Sequence, residues 1–539
     1  MSVPIYCRNG VAPNWSDISL NYTWAQLAAG FTWRELAYCA ARYHLHAAFV
    51  TPNWATISTD LTWQEAATGY TWSELSTRGA IPAQDLRQVA ISRQAADLFE
   101  RLNIGTALLI LDNARGQYSP DRVGGINSLR PNAAVTFKAF PVSTSVHPLF
   151  TGQVESYDVR ADVGRHLATI RCADVAKLLR RTVLPGLQVD IRTSSLAAVV
   201  ASLAGLSATQ ASLDQTMADV VTFANFDQHT AGDAFNDLVR LGSHRLYASG
   251  GGYLTMLDRN FDVSTTVVAS YVNEAHTLNY ALTTDQLYND VTVKGQPRAL
   301  STDVTTIAFL DQETTITASA SVVLTLEFFD PEAQERGVPV RNALTPVNSL
   351  DFQLNANPDG SGSDLTATAS LTAAFRATTA EITIFNGSGT RGFINKLNVR
   401  GQFLRRQPAF SVNSLDSASQ TAYDKQTYVL ESDLISSALQ ANNYVSALLR
   451  RQAQPIPTLR FSLRNYFPDV VRHELLDRFH ITESLTGVNS RFLVVGVSHT
   501  ISVDDVGVSH EAQFDLELAD TKSYFRLDVD QLDIGRLGF

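Results

Sequence analysis

The sequence predicts an α+β protein of mostly β structure with a helical module at its N-terminus. Three observations indicate this class. A duplicated segment with helix-capping signals occupies the first 80 residues, short alternating runs broken by Gly, Pro, Asn and Asp fill most of the chain beyond residue 88, and two helical regions interrupt them. With 539 residues, the chain is long enough for three or four domains.

The N-terminal module, residues 1–80, contains two copies of one motif. Segment 13–36 returns as segment 52–75, and all six tryptophans lie in these copies: Trp15, Trp24, Trp33, Trp54, Trp63 and Trp72. Residues nine apart on one helix point to opposite sides, which excludes a single amphipathic helix. Four threonines each precede a Gln or Glu by three residues, the pattern of a capping box: Thr23, Thr32, Thr62 and Thr71. We therefore predict short capped helices, each burying one Trp, and interpret them as a docking module. A sugar-stacking surface is the alternative.

The next two regions differ in pattern. Residues 88–190 contain four alternating runs and predict a closed antiparallel unit, the first β-barrel. Residues 191–299 contain helical patterns, including one that starts at Asp233, buries Phe235, Leu238 and Val239, and stops at Gly242. A glycine-rich hairpin around 250–252 follows directly.

The remaining chain predicts two further strand-rich regions. Residues 300–410 are rich in Thr, Ser and Ala and predict an inserted β-sandwich-like domain. Residues 411–539 begin with a helical pattern that ends in Arg450 and Arg451, with Leu434, Leu439, Val445, Leu448 and Leu449 as its apolar positions. Four alternating runs then predict a second barrel or a sandwich.

The order of several motifs resembles one known family. They are "DNARGQYSP" at 112–120, "LRPNAAVTFKA" at 129–139, "PLFTGQVESYDV" at 148–159, "GDAFNDLVRL" at 232–241, "YNDVTVKG" at 288–295 and "FLVVGVSHTIS" at 492–502. In this order they are similar to motifs of the tail hub proteins, also called baseplate hub or minor tail proteins, of tailed bacteriophages. The resemblance covers about residues 88–520. Asn132 departs from it, since glycine is usual there, and the Trp repeats have no place in the family core.

The resemblance implies a homotrimer at the tail tip with two tube-like antiparallel β-barrel domains in each chain. Six such domains around one axis would match a hexameric tail tube to threefold tip and fibre components and would form part of the DNA-ejection channel. The implied partners are the distal tail or tail tube protein, the tape measure protein, and a tail fibre or tip protein. The Trp module would dock onto one of these neighbours. The implied location is the virion tail, after synthesis in the host cytoplasm.

Composition limits the other functions. The net charge of −11 makes attraction to nucleic acid phosphates or to an anionic membrane unexpected, and an acidic wall would let DNA slide. The N-terminus shows no signal-peptide pattern and no run approaches a membrane span, so Sec-type export is not expected. Cys7, Cys39 and Cys172 are too scattered to predict disulfides or a zinc ribbon.

Enzyme and cofactor motifs are incomplete. Gly387, Gly389 and Gly392 match the spacing of a dinucleotide fingerprint, but a strand-like run follows them, so we predict a hairpin turn. His473 begins an HExxH-like motif in which Asp477 replaces the second histidine, and His44 and His46 lack a third ligand nearby. We therefore predict no catalytic residue, cofactor or metal. A glycan-binding tail protein that uses the Trp module, and a hydrolase in the inserted domain, remain alternative hypotheses.

Overall fold

The computed structural model describes residues 42–47, 79–81, 85–96, 101–119, 131–140, 146–162, 165–184, 191–217, 219–221, 223–224, 226, 229–258, 266–504 and 507–519. The six tryptophans and their predicted capped helices lie outside these residues. Segment 42–47, between the two Trp copies, is a strand rather than part of a helix. The first seven strands are β1 Arg42–Ala47, β2 Gly79–Ile81, β3 Leu86–Gln94, β4 Thr106–Asp112, β5 Ala134–Phe140, β6 His147–Asp162 and β7 Arg165–Ala173.

A helical region with short strands follows. Its elements are α1 Val175–Arg181, β8 Ile191–Arg192, α2 Thr193–Leu203, β9 Ala211–Leu213, β10 Val220–Val221, α3 Ala231–Gly242, β11 Arg245–Ala248, β12 Leu254–Leu257, β13 Ala269–Val272 and β14 Thr277–Leu282. The predicted hairpin is confirmed, since β11 and β12 pair antiparallel around 250–252.

The predicted helix in this region is α3, but it begins and ends differently. Thr230 caps it by accepting a hydrogen bond from the Asp233 N–H, so the helix starts two residues before the predicted position. Ser243, not Gly242, has the left-handed backbone that ends it. Gly242 is needed for another reason: a Cβ there would lie 2.0 Å from Nε2 of His244.

The inserted region is almost wholly β structure. It follows β15 Asp290–Gly295 and contains β16 Arg298–Leu300, β17 Thr305–Phe309, β18 Thr314–Ile316, β19 Ser321–Glu327, β20 Phe329–Asp330, β21 Glu335–Arg336, β22 Val340–Leu344, β23 Phe352–Asn355, a 3-10 turn Thr366–Thr368, β24 Ala369–Phe375, β25 Thr379–Asn386 and β26 Gly392–Arg406. Strand β26 pairs with β16, β17, β18, β22 and β23, while β25 lies between β19 and β24.

The predicted hairpin around Gly387–Gly392 is wrong, because β25 and β26 do not pair with each other. The segment instead carries the chain from one sheet of the inserted region to the other. The Asn386 amide donates to the carbonyls of Ile316, Thr317 and Thr390 and so fixes this connection. A strand follows it, as predicted, whereas a dinucleotide fingerprint opens a helix.

The chain then returns to β and α elements of the main body. They are β27 Phe410–Leu415, α4 Ser417–Tyr423, β28 Thr427–Ser432, α5 Ala438–Gln452, β29 Pro457–Arg464, α6 Asp469–Arg472, β30 Arg478–Glu483, β31 Val488–Asp504 and β32 Gly507–Leu518. Arg450 and Arg451 lie in the last turn of α5, which ends one residue later at Gln452. However, Leu434 precedes the helix and Leu439 is 70% exposed, because the buried face is formed by Ala441, Tyr444, Val445 and Leu448.

The strand-rich ends of the chain share one 13-stranded sheet. Its order is β14-β29-β32-β31-β3-β4-β7-β6-β5-β1-β2, and β30 joins β31 to β13. The predicted separate first and second barrels therefore meet along the β3–β31 pair. Among the described strands, no pairing joins the ends of this sheet into a closed barrel.

Three hydrophobic cores lie beneath these layers. The first covers one face of the large sheet and includes Phe137, Phe461 and Phe514. The second joins α2, α3 and α5 to β15, and the third fills the space between the sheets of the inserted region. Cys172 is buried in the first core, and this burial raises the pKa of its thiol to about 12.

Candidate functional site

The large sheet has two unlike faces. Along β3, Val89 and Ile91 are buried, whereas Ala90 and Ser92 alternate with them on the opposite face. The same alternation occurs on β4, β7, β31 and β32. We call the half-buried to exposed side of these strands and of β6 the outer sheet face.

Three rows of register partners cross the outer sheet face through six strands, from β32 to β6. The first row is Ser509, Ser502, Gln88, Ile110, Thr169 and Asp158; the second is Glu511, Thr500, Ala90, Leu108, Arg171 and Ser156; the third is Gln513, Ser498, Ser92, Thr106, Ala173 and Gln153. Ala173 is buried, and the other members are half-buried or exposed. Each row begins in the C-terminal part of the chain and ends in the N-terminal part. The face is therefore one surface built from both ends of the sequence.

Side chains on this face are mostly short and polar. In the three rows, only Asp158, Glu511 and Arg171 carry a charge. At the margin, Arg460 and Asp515 form an ion pair at 2.9 Å. The three rows thus carry two carboxylates and one guanidinium, so the acidic wall expected from the net charge is not a property of these rows.

The two halves are held together at β3 and β31 by more than ladder hydrogen bonds. The buried Arg93 guanidinium pairs with Glu474 and reaches the Ala248 carbonyl of β11 at 3.4 Å. Just beyond β3, the Ala96 N–H donates to the Leu246 carbonyl at 2.7 Å. The end of β3 is therefore fixed at once to the C-terminal strands and to the helical region.

The motif Asp112–Ser119 forms a tight turn at the end of β4. The Asn113 side chain accepts from the Tyr118 N–H at 2.9 Å and donates to Ser119 Oγ at 3.0 Å. The fully buried Tyr118 hydroxyl donates to Asp85 at 2.8 Å. Burial and this neighbouring carboxylate raise the pKa of Tyr118. This motif, one of those that carry the resemblance, is thus held by side-chain hydrogen bonds that stabilise the turn.

Asn132, the departure from the family motif, has φ of 72°. This is the left-handed region, which glycine adopts freely and which asparagine tolerates better than other side chains do. Its N–H donates to the Val154 carbonyl at 2.7 Å. The backbone conformation explains why Asn can occupy a position where the family has Gly.

The residues considered for chemistry have structural contacts. His473 Nε2 lies 2.6 Å from the Tyr271 hydroxyl, and its Nδ1 lies 3.5 Å from Asp477. His44 and His46 lie on β1, which pairs with β5. Within the described residues, no group of three His, Cys, Asp or Glu side chains is placed to hold a metal ion. No helix in that part of the chain has the length and apolar character needed to cross a membrane.

Sequence reasoning missed the outer sheet face as a candidate site. The alternation of Ser and Thr in "SHTIS" at 498–502 carried part of the signal, but it gives only the face of one strand. The partner strand could not be found this way, because β3 is about four hundred residues distant in the sequence.

No protein-family model matches this sequence, and no curated protein matches it. Solved structures that align with this one include phage and prophage tail proteins. The tail protein from Neisseria meningitidis MC58 is 11% identical with a TM-score of 0.46, and the match covers 88% of this chain and 96% of that one. The 43 kDa tail protein of prophage MuSo2 from Shewanella oneidensis is 10% identical with a TM-score of 0.44, over 83% of this chain and 97% of that one.

A component of the Escherichia coli type VI secretion system, itself described as structurally similar to T4 tail proteins gp27 and gp5, is 7% identical with a TM-score of 0.35. This match covers 83% of the present chain and 76% of that one. The structural neighbours described are thus two tail proteins and one component of a secretion system. Their low identities assign no role to any residue of this chain.

Proposed function

We propose that this protein is a structural tail hub that forms a homotrimeric ring at the tail tip. The observation that supports it best is the sheet in which β3, β4, β7 and β6 continue from β32 and β31 and carry the mostly polar rows of the outer sheet face. Two strand-rich units per chain give six around a threefold axis, which fits a hexameric tube on one side and threefold components on the other. The order of sequence motifs supports the same assignment.

We assign the outer sheet face to the wall of the channel. DNA passing a wall must not bind to it, and a dense row of lysines or arginines would hold phosphates by releasing their counterions. The rows of Ser, Thr, Gln and Ala carry few charges, and the marginal Arg460 is neutralised by Asp515. A near-neutral hydroxylated surface meets the requirement without being strongly acidic.

The inserted domain, residues 300–410, is assigned to the outside of the ring. Gly295 at the end of β15 and Phe410 at the start of β27 are register partners, so the chain leaves and re-enters the body at one place. A domain joined in this way is added without interrupting the body. The other divisions follow the pattern of the sequence: 1–80, 88–190, 191–299 and 411–539.

The Trp module is assigned to docking with a neighbour in the tail, through Trp15, Trp24, Trp33, Trp54, Trp63 and Trp72. Large aromatic side chains are frequent anchors of protein interfaces. Candidate neighbours are the distal tail or tail tube protein, the tape measure protein and a fibre. Deletion of residues 1–80 also removes β1 and most of β2 from one edge of the large sheet, and it should leave a folded ring that no longer joins tails.

The first test is the molar mass of the purified protein by light scattering coupled to size exclusion, followed by electron microscopy. A mass near three times 58.9 kDa and threefold rings support the hub. A strict monomer that also fails to enter rings in the presence of tail tubes contradicts it. Saturable polysaccharide binding that is lost on Trp-to-Ala substitution would favour the glycan-binding hypothesis.

A second test locates the outer sheet face in the ring. In a background with Cys7 and Cys39 replaced by Ser, Ser92→Cys should react with a small maleimide but not with a maleimide carrying a large polymer. Leu485→Cys, on a side chain that is 95% exposed, is the control and should react with both. Equal reaction of both variants with the polymer would contradict the channel assignment.

A further inference from the structure

Loop 355–364 of the inserted domain connects β23 to the 3-10 turn and is dense in oxygen-bearing side chains. Its sequence, Asn-Ala-Asn-Pro-Asp-Gly-Ser-Gly-Ser-Asp, places Asn355, Asn357 and Asp359 two residues apart, with Gly360 next. Calcium loops of the form D-x-[DN]-x-[DN]-G take side-chain oxygens from positions one, three and five, a carbonyl from position seven, and Gly at position six for the turn. Gly360 has φ of 80°, the left-handed backbone that this turn requires.

Asn355 supplies independent evidence that the loop takes a ligand. The residue is 4% exposed, and its Oδ1 is buried without a hydrogen-bond partner in the protein. Its Nδ2 donates to the Gly360 carbonyl, which fixes which end of the amide is nitrogen, since the reverse orientation would oppose two acceptor oxygens. The acceptor left over therefore belongs to Oδ1. A bound cation would supply the partner that this buried oxygen lacks.

The rest of the loop is held by its own hydrogen bonds and by one from β26. Asn357 Nδ2 donates to Ser361 Oγ at 3.0 Å, and the Asp359 carboxylate accepts from the Ser361 N–H at 3.0 Å. Asn395 of β26 holds the Pro358 carbonyl at 2.8 Å. Asp364 forms an antiparallel bridge with Asn355, which brings a second carboxylate residue to the base of the loop.

We propose that loop 355–364 binds one calcium ion, with Asn355, Asn357, Asp359 and the Ser361 carbonyl as protein ligands. Amide and carbonyl oxygens in a flexible loop suit Ca²⁺ better than Mg²⁺, which demands a tight octahedron and keeps its water. The loop has Asn rather than Asp at its first position and Thr366 at the twelfth, where an EF-hand has a bidentate Glu. The site is therefore weak. This inference does not depend on the proposed tail function.

Isothermal titration calorimetry of the full-length protein, freed of calcium with a chelator, tests the proposal. Addition of CaCl₂ should give saturable binding of one ion with Kd of about 10⁻⁴–10⁻³ M, and MgCl₂ should bind at least about tenfold more weakly. Asp359→Asn should raise the Kd for calcium by about tenfold, because it removes a ligand charge. Asp303→Asn, the same change at an exposed position of the same domain, should leave the Kd unchanged.

Asn355→Asp separates a ligand from a packing residue. With calcium, the added carboxylate should lower the Kd by about tenfold. Without calcium, the buried charge should lower the thermal midpoint, and calcium should restore it. Absence of saturable heat in the wild-type protein, or equal Kd values for wild type and Asp359→Asn, would overturn the proposal. Asn355→Asp that is destabilised with and without calcium would also overturn it.

Discussion

Ser92 and Ser498 lie opposite each other on β3 and β31, with their Oγ atoms 3.4 Å apart, although 406 residues separate them in the sequence. This pair marks the line along which the N-terminal and C-terminal strands become one sheet. The outer sheet face, and with it the proposed channel wall, exists only because of this contact.

Cysteines at these two positions should therefore form a disulfide. Side chains of directly opposed antiparallel residues have Cβ atoms about 4.5–5.5 Å apart, close to the spacing of a disulfide. With Cys7 and Cys39 replaced by Ser, the Ser92→Cys/Ser498→Cys variant should run with altered mobility on a non-reducing gel and gain about 2–4 kcal/mol in the free energy of unfolding. The Ser92→Cys variant alone is the control. A native double variant that stays reduced with oxidant would show that the strands are not neighbours.

Tyr118→Phe should destabilise the turn after β4. The substitution removes the hydroxyl that donates to Asp85 and leaves a buried carboxylate with one donor fewer. The expected loss is about 1–2 kcal/mol in the free energy of unfolding, measured by urea denaturation. Tyr423→Phe makes the same change at an exposed site and should cost less than about 0.5 kcal/mol. Equal effects would mean that the Asp85 contact contributes little.

Asn132→Gly and Asn132→Ala should change the free energy of unfolding by different amounts or in opposite directions. At φ of 72° glycine carries no steric cost, whereas alanine pays about 1–2 kcal/mol. Thermal unfolding of the two variants side by side provides the measurement. If alanine were as stable as glycine, the left-handed conformation would not explain why this position departs from the family motif.

Glu517→Gln should destabilise the attachment of the helical region to the sheet. Glu517 on β32 pairs with Arg245 of β11, whose side chain is 2% exposed, and with Arg451 of α5. Weakening the partner of a buried guanidinium should cost about 3 kcal/mol, measured by urea denaturation. Asp515→Asn on the same strand breaks only the exposed pair with Arg460 and should cost less than about 1 kcal/mol. A similar loss in both variants would contradict this interpretation.

Stability should fall below pH 6.5 through two buried histidines. His499 Nδ1 lies 3.1 Å from His510 Nε2, and burial lowers the pKa of His510 to about 3 and that of His499 well below 6.5. Below pH 6.5 these two histidines become protonated in the unfolded chain but stay neutral in the folded protein. Their contribution to the free energy of unfolding is therefore fully present above pH 6.5 and is lost as the pH falls. Burial raises the pKa of Asp174 to about 7, which acts in the opposite direction between pH 7 and 4.

Asp174 is present in both wild type and His510→Gln, so its contribution cancels when the free energies of unfolding of the two proteins are subtracted at each pH. Between pH 6.5 and 5, the free energy of unfolding should fall less steeply in the variant than in the wild type, by up to about 1.4 kcal/mol per pH unit. Urea denaturation at several pH values measures this difference. His166→Gln, at an exposed position of β7, should keep the wild-type slope. Parallel slopes for wild type and His510→Gln would exclude the pair as the cause.

The calcium prediction for loop 355–364 rests on one orphan acceptor. The most decisive variant is Asn355→Asp, because a buried carboxylate in place of the amide should lower the Kd for calcium only if residue 355 contacts the ion. The calorimetric comparison with Asp303→Asn gives the matched control.

Alternation and helical periodicity located several elements from the sequence. Strands such as Pro457–Arg464 and Val488–Asp504, the amphipathic helix ending at Gly242, and the hairpin after it all follow from local periodicity. The predictions were wrong at positions where contacts with distant parts of the chain determine the local structure. Leu439 carries an apolar side chain but lies on the exposed side of its helix, and the Gly387–Gly392 segment connects two sheets instead of two paired strands.

The sequence alone determined the mostly β class, the faces of single strands, and a motif order that resembles tail hub proteins. Only the tertiary structure decided that β3 pairs with β31, that Asn132 has a left-handed backbone, and that Asn355 has a buried oxygen without a donor. The physical reason is the separation along the chain between the residues that determine each feature. Side-chain alternation records what a residue does relative to its neighbours in sequence, whereas strand order and buried contacts depend on segments hundreds of residues away.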